Sequence, residues 1–152
     1  MNPQAAASYL RTRVFTATPE QLQMMLYDGA IRFAEQARPA LQCRDWESSY
    51  KNLSRAQKII TELTCSLKHD VAPELCGRLA ALYNYIFRKL VDANAHHKLE
   101  SLDEALRILR HQRETWAMLL DQLGKQKAAT AARTLDIPAP STQMEASISM
   151  RG

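Results

Sequence analysis

The sequence predicts an all-α fold, an antiparallel up-down-up-down four-helix bundle. Three observations predict it. Apolar positions recur at spacings of three and four from residue 19 to residue 123, glycine is scarce, and no window alternates as a half-buried strand would.

The first predicted helix has the clearest start. Thr18 can serve as N-cap, Pro19 occupies the position where a missing N–H is harmless, and Gln21 can close a capping box. Its stripe is Leu22, Met25, Leu26, Gly29, Ala30, Phe33 and Ala37, and Pro39 should end or kink it. Asp45 can cap the second helix, whose stripe is Trp46, Tyr50, Leu53, Ala56, Gln57, Ile60, Leu63 and Leu67. The third has Asp70 as a candidate cap and Pro73 in its first turn, carries Leu75, Leu79, Leu82, Tyr83, Ile86, Leu90 and Ala93, and should finish near His96 or His97. The fourth starts close to Ser101, carries Leu102, Ala105, Leu106, Leu109, Trp116, Leu120 and Leu123, and has Gly124 placed for a left-handed cap. Similar lengths and short links make sequential helices antiparallel.

These elements divide the chain into an N-terminal mobile segment (1–17), a bundle (18–124) and a tail (125–152). The tail is rich in Ala, Thr, Ser, Pro and Gln and has no sustained period. Residues 128–152 therefore read as disordered, with Ile137 or Met144 as the residues that could dock locally.

A chain of 152 residues with 46% apolar and 24% charged residues has the composition of one globular domain. No apolar run approaches the roughly 20 residues that span a bilayer, and the N-terminus lacks a signal-peptide pattern, which points to the cytoplasm without membrane insertion. Cys43, Cys65 and Cys76 are odd in number and lack zinc-knuckle spacing, so they read as reduced thiols.

Neither catalysis nor a cofactor is indicated. No Glu is followed three residues later by His, as paired-metal bundles require; His111 and Glu114 stand in the reverse order, and His96-His97 falls at a helix end. Phosphate loops, nucleophile elbows and His-Glu-x-x-His are missing as well. The net charge of +4 is mild and dispersed, and no recognition-helix pair is evident, so nucleic acid is not an expected partner.

Two features ask for a protein partner. At about 100° per residue, Met24, Tyr27 and Ile31 project nearly opposite the Leu22–Leu26–Phe33 side of the first helix. A bundle helix with a second apolar stripe needs a cover, supplied by residues 1–17 through Tyr9, Leu10 and Val14, by another subunit, or by a bound peptide. Ile59, Phe87 with Val91, and Ile108 widen the stripes of the other three helices. The second feature is Arg113, inside the stripe formed by Leu109, Trp116 and Leu120. It needs a carboxylate from another helix, an exit to water, or a role as polar anchor for a bound peptide.

The ordered blocks Thr16-Ala17-Thr18-Pro19-Glu20-x-Leu22 and Met25-Leu26-Tyr27-Asp28-Gly29-Ala30-Ile31 resemble the flagellin-specific export chaperone family called FliS. The resemblance starts at Tyr9 and Val14 and returns at Ala56-Gln57-x-Ile59-Ile60-x-Glu62-Leu63, Leu82-Tyr83-x-Tyr85-Ile86, Ala93-Asn94, and Leu109 with Arg113-x-x-Trp116. It implies a four-helix bundle with an N-terminal segment, which agrees with the periodicity. It also implies a non-enzymatic function: holding the disordered C-terminal region of flagellin, preventing premature polymerisation, and assisting delivery to the type III export gate. Ala72-Pro73 stands where the family often has paired glycines, and the long tail lies outside the resemblance. On this reading the partner-binding residues are Tyr9, Val14, Met24, Tyr27, Ile31, Ile59, Phe87, Val91, Ile108 and Arg113. The competing reading is a homodimeric structural or regulatory bundle that covers the second stripe with its own copy; on the chaperone reading, a homodimer is a state open to the protein when flagellin is absent.

Overall fold

In a computed structural model, residues 2–136 are described and fold into five helices: α1 (Pro3–Thr16), α2 (Pro19–Gln42), α3 (Trp46–Cys65), α4 (Pro73–His96) and α5 (Leu99–Leu135). Two units can be distinguished, one through Ala117 and one from Met118 onward.

The expected start of the bundle is present. Thr18 Oγ1 accepts from the Gln21 N–H at 3.2 Å, and the Gln21 side chain accepts from the Thr18 N–H at 3.0 Å. Pro39 does not end the helix, one of the two outcomes expected of it: α2 runs on to Gln42. Proline so near a C-terminus forfeits one hydrogen bond, and the end is secured another way. The Asp45 N–H reaches the Ala40 carbonyl at 2.9 Å and the Arg44 N–H that of Leu41 at 3.3 Å, a Schellman closure with Arg44 in the left-handed region at φ 60°. Asp45 then caps α3 through the Ser48 N–H. Asp70 is not the cap of α4: Ala72 holds that position without a side-chain bond, and Pro73 opens the helix. His97, at φ 56°, ends it.

Side-chain pairs set the antiparallel arrangement. Passing along α2 from Glu20 to Arg38, the partners on α5 run backward from Trp116 through Arg113 and Arg110 to Asp103. Gly29 faces Ile59 while Phe33 meets Arg55, so α3 is antiparallel to α2. Asp92 with Ser101 and Tyr85 with Glu104 set the same relation between α4 and α5.

The core lies between the four helices. From α2 come Tyr27, Ala30, Ile31, Ala34, Ala37 and Leu41; α3 gives Leu53, Ala56, Ile60 and Leu63; α4 gives Tyr83, Ile86, Leu90 and Ala93; and α5 gives Leu102, Ala105, Leu106 and Leu109. Small residues on α2 let α3 come close: a Cβ at Gly29 would stand 3.2 Å from Ile59 Cδ1. Backbone approaches within 8 Å join α2 to α3 and α3 to α4, whereas α5 makes hardly any, meeting its neighbours through leucines and charged pairs.

This core revises the reading of the second stripe. Tyr27 is 2% exposed and Ile31 9%, both inside the bundle, while Leu26 and Phe33 are only partly buried against it. The two stripes are the flanks of one broad apolar arc whose centre, at Ala30 and Ala34, points into the core. A helix that meets three others buries such an arc without an external cover. Trp46, Tyr50 and Leu75, expected on core stripes, are exposed at helix ends.

Residues 3–16 are helical, with Asn2 as N-cap and Pro3 following it. No side chain of α1 is buried, so Tyr9, Leu10 and Val14 do not cover the bundle. At the other end Gly124 is an ordinary helical residue, and α5 continues to Leu135 instead of stopping there. Within the second unit, Asp121 and Lys125 pair one turn apart at 3.2 Å. The expected disorder of 128–152 is thus corrected as far as Leu135; Ile137, Met144 and the remaining tail lie outside the described residues.

Candidate partner-binding site

The site is built on the seam between α3 and α4. Helix α3 turns Leu53, Ala56, Ile60 and Leu63 into the core, which leaves Tyr50, Ser54, Gln57, Lys58 and Thr61 along the flank facing α4. Helix α4 buries Tyr83, Ile86 and Leu90, which brings Phe87, Val91 and Asn94 to the same seam. Side chains four apart on a helix stack on one face, so Phe87 and Val91 form a continuous apolar strip.

Two hollows result. One, of about 230 Å3, is lined by Ser54, Gln57, Lys58, Thr61 and Phe87. The other, of about 190 Å3, is lined by Tyr50, Gln57, Val91, Asn94 and Ala95. Gln57 belongs to both, and its Oε1 accepts from Asn94 Nδ2 at 3.1 Å, so an amide pair forms the divide between them. Gln57 is therefore the polar exception in its helix because it faces the seam. Val91 is 38% and Tyr50 64% exposed, leaving apolar surface in reach of a partner. At the end of the seam Trp46 stacks on His97, with ring centroids 3.9 Å apart.

This seam holds Phe87 and Val91, two of the sequence-predicted residues. Ile59 is directed instead toward Gly29 and packs partly buried against the core, as does Ile108 on α5. Met24 is half-buried on α2, while Tyr9 and Val14 are exposed on α1, away from the seam residues in sequence and not buried against anything. Tyr27 is not available to a partner. Its hydroxyl lies 2.5 Å from that of Tyr83, which also accepts from Gln23 Nε2 at 3.2 Å. Burial, followed by the bond to Tyr27, raises the Tyr83 pKa well above the phenol range. Ile31 is likewise a core residue.

Of the three roles left open for Arg113, the structure shows the inter-helical carboxylate, so the side chain expected to bind a partner is engaged within the bundle. Its Nε donates to Asp28 Oδ1 at 2.5 Å, and this bond raises the guanidinium pKa. Arg110 with Glu35 and Arg38 with Asp103 extend the pairing along α2 and α5. Trp116, a few residues further on, donates its indole N–H to the Glu20 carbonyl at 2.9 Å. Arg113-x-x-Trp116 thus fastens α5 to α2. Tyr50, Gln57 and Asn94 are seam residues that sequence reasoning did not name as a site. Tyr50 and Gln57 sit on the stripe that periodicity assigns to the core, with the polar character of Gln57 as the one signal, and Asn94 lies beside the stripe of α4.

Among the described residues no helix is long and apolar enough to cross a membrane. Comparison with solved structures finds a bacterial flagellar chaperone with a TM-score of 0.65 at 18% identity, covering 78% of this chain and 97% of that one. That likeness supports the fold. In sequence, the flagellar secretion chaperone FliS of Bacillus subtilis is 34% identical over 126 residues, 83% of this chain and 92% of the relative. The proteins of the same name from Salmonella typhimurium and Escherichia coli are 29% and 30% identical, over 78% and 70% of this chain and 89% and 79% of theirs. All three are named for chaperoning, a role that asks for surfaces and not for reacting groups. With the family model for the flagellar protein FliS matching residues 1–123 as well, the bundle and the helix that precedes it have one origin: the chain belongs to the FliS family.

Proposed function

We propose that this protein is a cytoplasmic, non-enzymatic chaperone that holds the C-terminal region of flagellin and delivers it to the type III export gate. The observation that carries the reading is the α3–α4 seam, where Tyr50, Phe87 and Val91 offer apolar contacts on either side of the Gln57–Asn94 amides. An unfolded segment binds such a surface by placing side chains in successive hollows and offering backbone groups to the amides between them. Kinship with proteins named flagellar secretion chaperones supports the choice of cargo. Keeping the cargo's apolar residues occupied is also what prevents premature assembly.

In this proposal α1 is the mobile element of the site: it carries Tyr9 and Val14 exposed and can close over bound cargo. The test is titration calorimetry and light scattering with the C-terminal region of flagellin. A one-to-one complex with a strongly negative heat-capacity change is expected, because apolar surface is buried as the segment orders. Failure to bind, or a stable homodimer that keeps its mass when the flagellin fragment is added, would overturn the reading in favour of a self-associating bundle.

A further inference from the structure

The charges around Phe33 are arranged differently from those elsewhere on the bundle. Two guanidiniums lie over this one partly buried ring: that of Arg32 at 5.2 Å from its centroid and that of Arg55, from α3, at 5.4 Å. Both arginines are exposed, and neither forms an ion pair among the described residues. The reason lies in the helix positions. Arg32 would ordinarily use Asp28 or Glu35, one turn away on either side, but those carboxylates are engaged by Arg113 and Arg110 of α5. Arg55 has Lys51 and Ile59 at four residues and Asn52 and Lys58 at three, with no carboxylate among them. Two like charges are therefore held over one aromatic ring in the α2–α3 groove, one turn from the tight Gly29–Ile59 contact.

An aromatic face attracts cations without neutralising them, and each guanidinium keeps N–H donors suited to bidentate recognition of a carboxylate. We propose that Arg32, Phe33 and Arg55 form a docking point for an acidic segment of the exported subunit, a carboxylate reaching the guanidiniums while a neighbouring apolar side chain rests on Phe33. The proposal rests on the chaperone reading above and specifies the chemistry of a second stretch of its cargo. Charge complementarity selects the occupant. The chain's own α1 is unsuited to it, because it carries Arg11 and Arg13 and no carboxylate.

The test compares the full-length protein with R32Q/R55Q and R32K/R55K by calorimetry at low and high salt, using the flagellin C-terminal region and, separately, an oligoglutamate peptide. Wild type should bind both, and R32Q/R55Q should bind each at least about tenfold more weakly at low salt with a flatter salt dependence. R32K/R55K should recover only part of the loss, since a lysine cannot supply the planar fork. Unchanged thermal midpoints would establish that the variants are folded. If R32Q/R55Q binds the flagellin fragment and oligoglutamate as wild type does, the docking point is refuted and the chaperone reading stands. If oligoglutamate binding depends on the arginines but the flagellin fragment is not bound at all, the docking point stands and the cargo assignment falls. Preference of the same arginines for an RNA oligonucleotide over the acidic peptide would overturn a protein segment as the occupant.

Discussion

Replacing Tyr83 by Phe tests the centre of the fold, because the ring stays in place and only a buried hydroxyl is lost. Tyr83 is fully buried and Tyr27 2% exposed; their hydroxyls are 2.5 Å apart, and Gln23 Nε2 donates to Tyr83 at 3.2 Å. A net hydrogen bond contributes about 1 kcal/mol, while a buried polar group left without its partner costs about 1–3 kcal/mol. Tyr83→Phe strands both the Tyr27 hydroxyl and the Gln23 amide, so it should cost about 2–3 kcal/mol. Tyr27→Phe leaves Tyr83 its bond to Gln23 and should cost only about 1 kcal/mol. In the double variant no phenol is left stranded, and the loss should fall short of the sum of the two by about 1 kcal/mol or more. Urea titrations of all four proteins, followed by far-ultraviolet circular dichroism, measure this coupling. Additivity within about 0.3 kcal/mol would refute the claim that the two hydroxyls depend on each other.

Arg44→Gly should raise stability by about 1 kcal/mol in the same assay, because glycine adopts the left-handed conformation at the end of α2 without a Cβ penalty. Val91→Asp should weaken binding of the flagellin C-terminal region about tenfold with helix content unchanged, whereas Ile31→Asp should lower helix content and binding together, since it places a charge in the core. Asp92, Asp103 and Glu104 have pKa values held below their ordinary 3.8, 3.8 and 4.5, chiefly by hydrogen bonds from Ser101, Arg38 and Tyr85 respectively. A depressed folded-state pKa stabilises the native protein above the ordinary value and ceases to do so as pH falls through the lower one. The thermal midpoint should therefore hold at neutral pH and drop as pH falls below those ordinary values, with a shallower drop in Asp103→Asn.

The boundaries legible in the sequence were those with a local chemical cause. Thr18-Pro19-Glu20-Gln21 and Asp45 announce helix starts through their own side chains, and the core faces of α3, α4 and α5 follow from spacing. The α2 face was misjudged because periodicity reports how wide an apolar arc is, and not where its centre points. Ala30 and Ala34 are too small to mark that centre, although both are fully buried in it, and the close approach of α3 is at Gly29 on the flank. Helix α1 was missed for the converse reason: Asn2-Pro3 is a start signal like Thr18-Pro19, but the alanine-rich stretch behind it has no stripe. Gly124 was overruled by its surroundings, since Lys, Gln and Ala on its far side favour continued helix. The candidate site was the least legible part. Phe87 and Val91 could be picked out as apolar flanks, but only the pairing of Gln57 with Asn94 across two helices reveals the seam between them.

The unequal spacing of the helices also bears on how this fold comes apart. Close backbone approach joins α2, α3 and α4 into one tightly packed set, while α5 rests on Leu102, Leu106 and Leu109 and on partly exposed ion pairs to α2. In hydrogen exchange, the amides of Leu106 and Leu109 should therefore open as a group at a lower free energy than those of Ala56 and Ile60. Added salt should lower it further by screening the pairs along that edge, leaving α2, α3 and α4 as the last part to exchange.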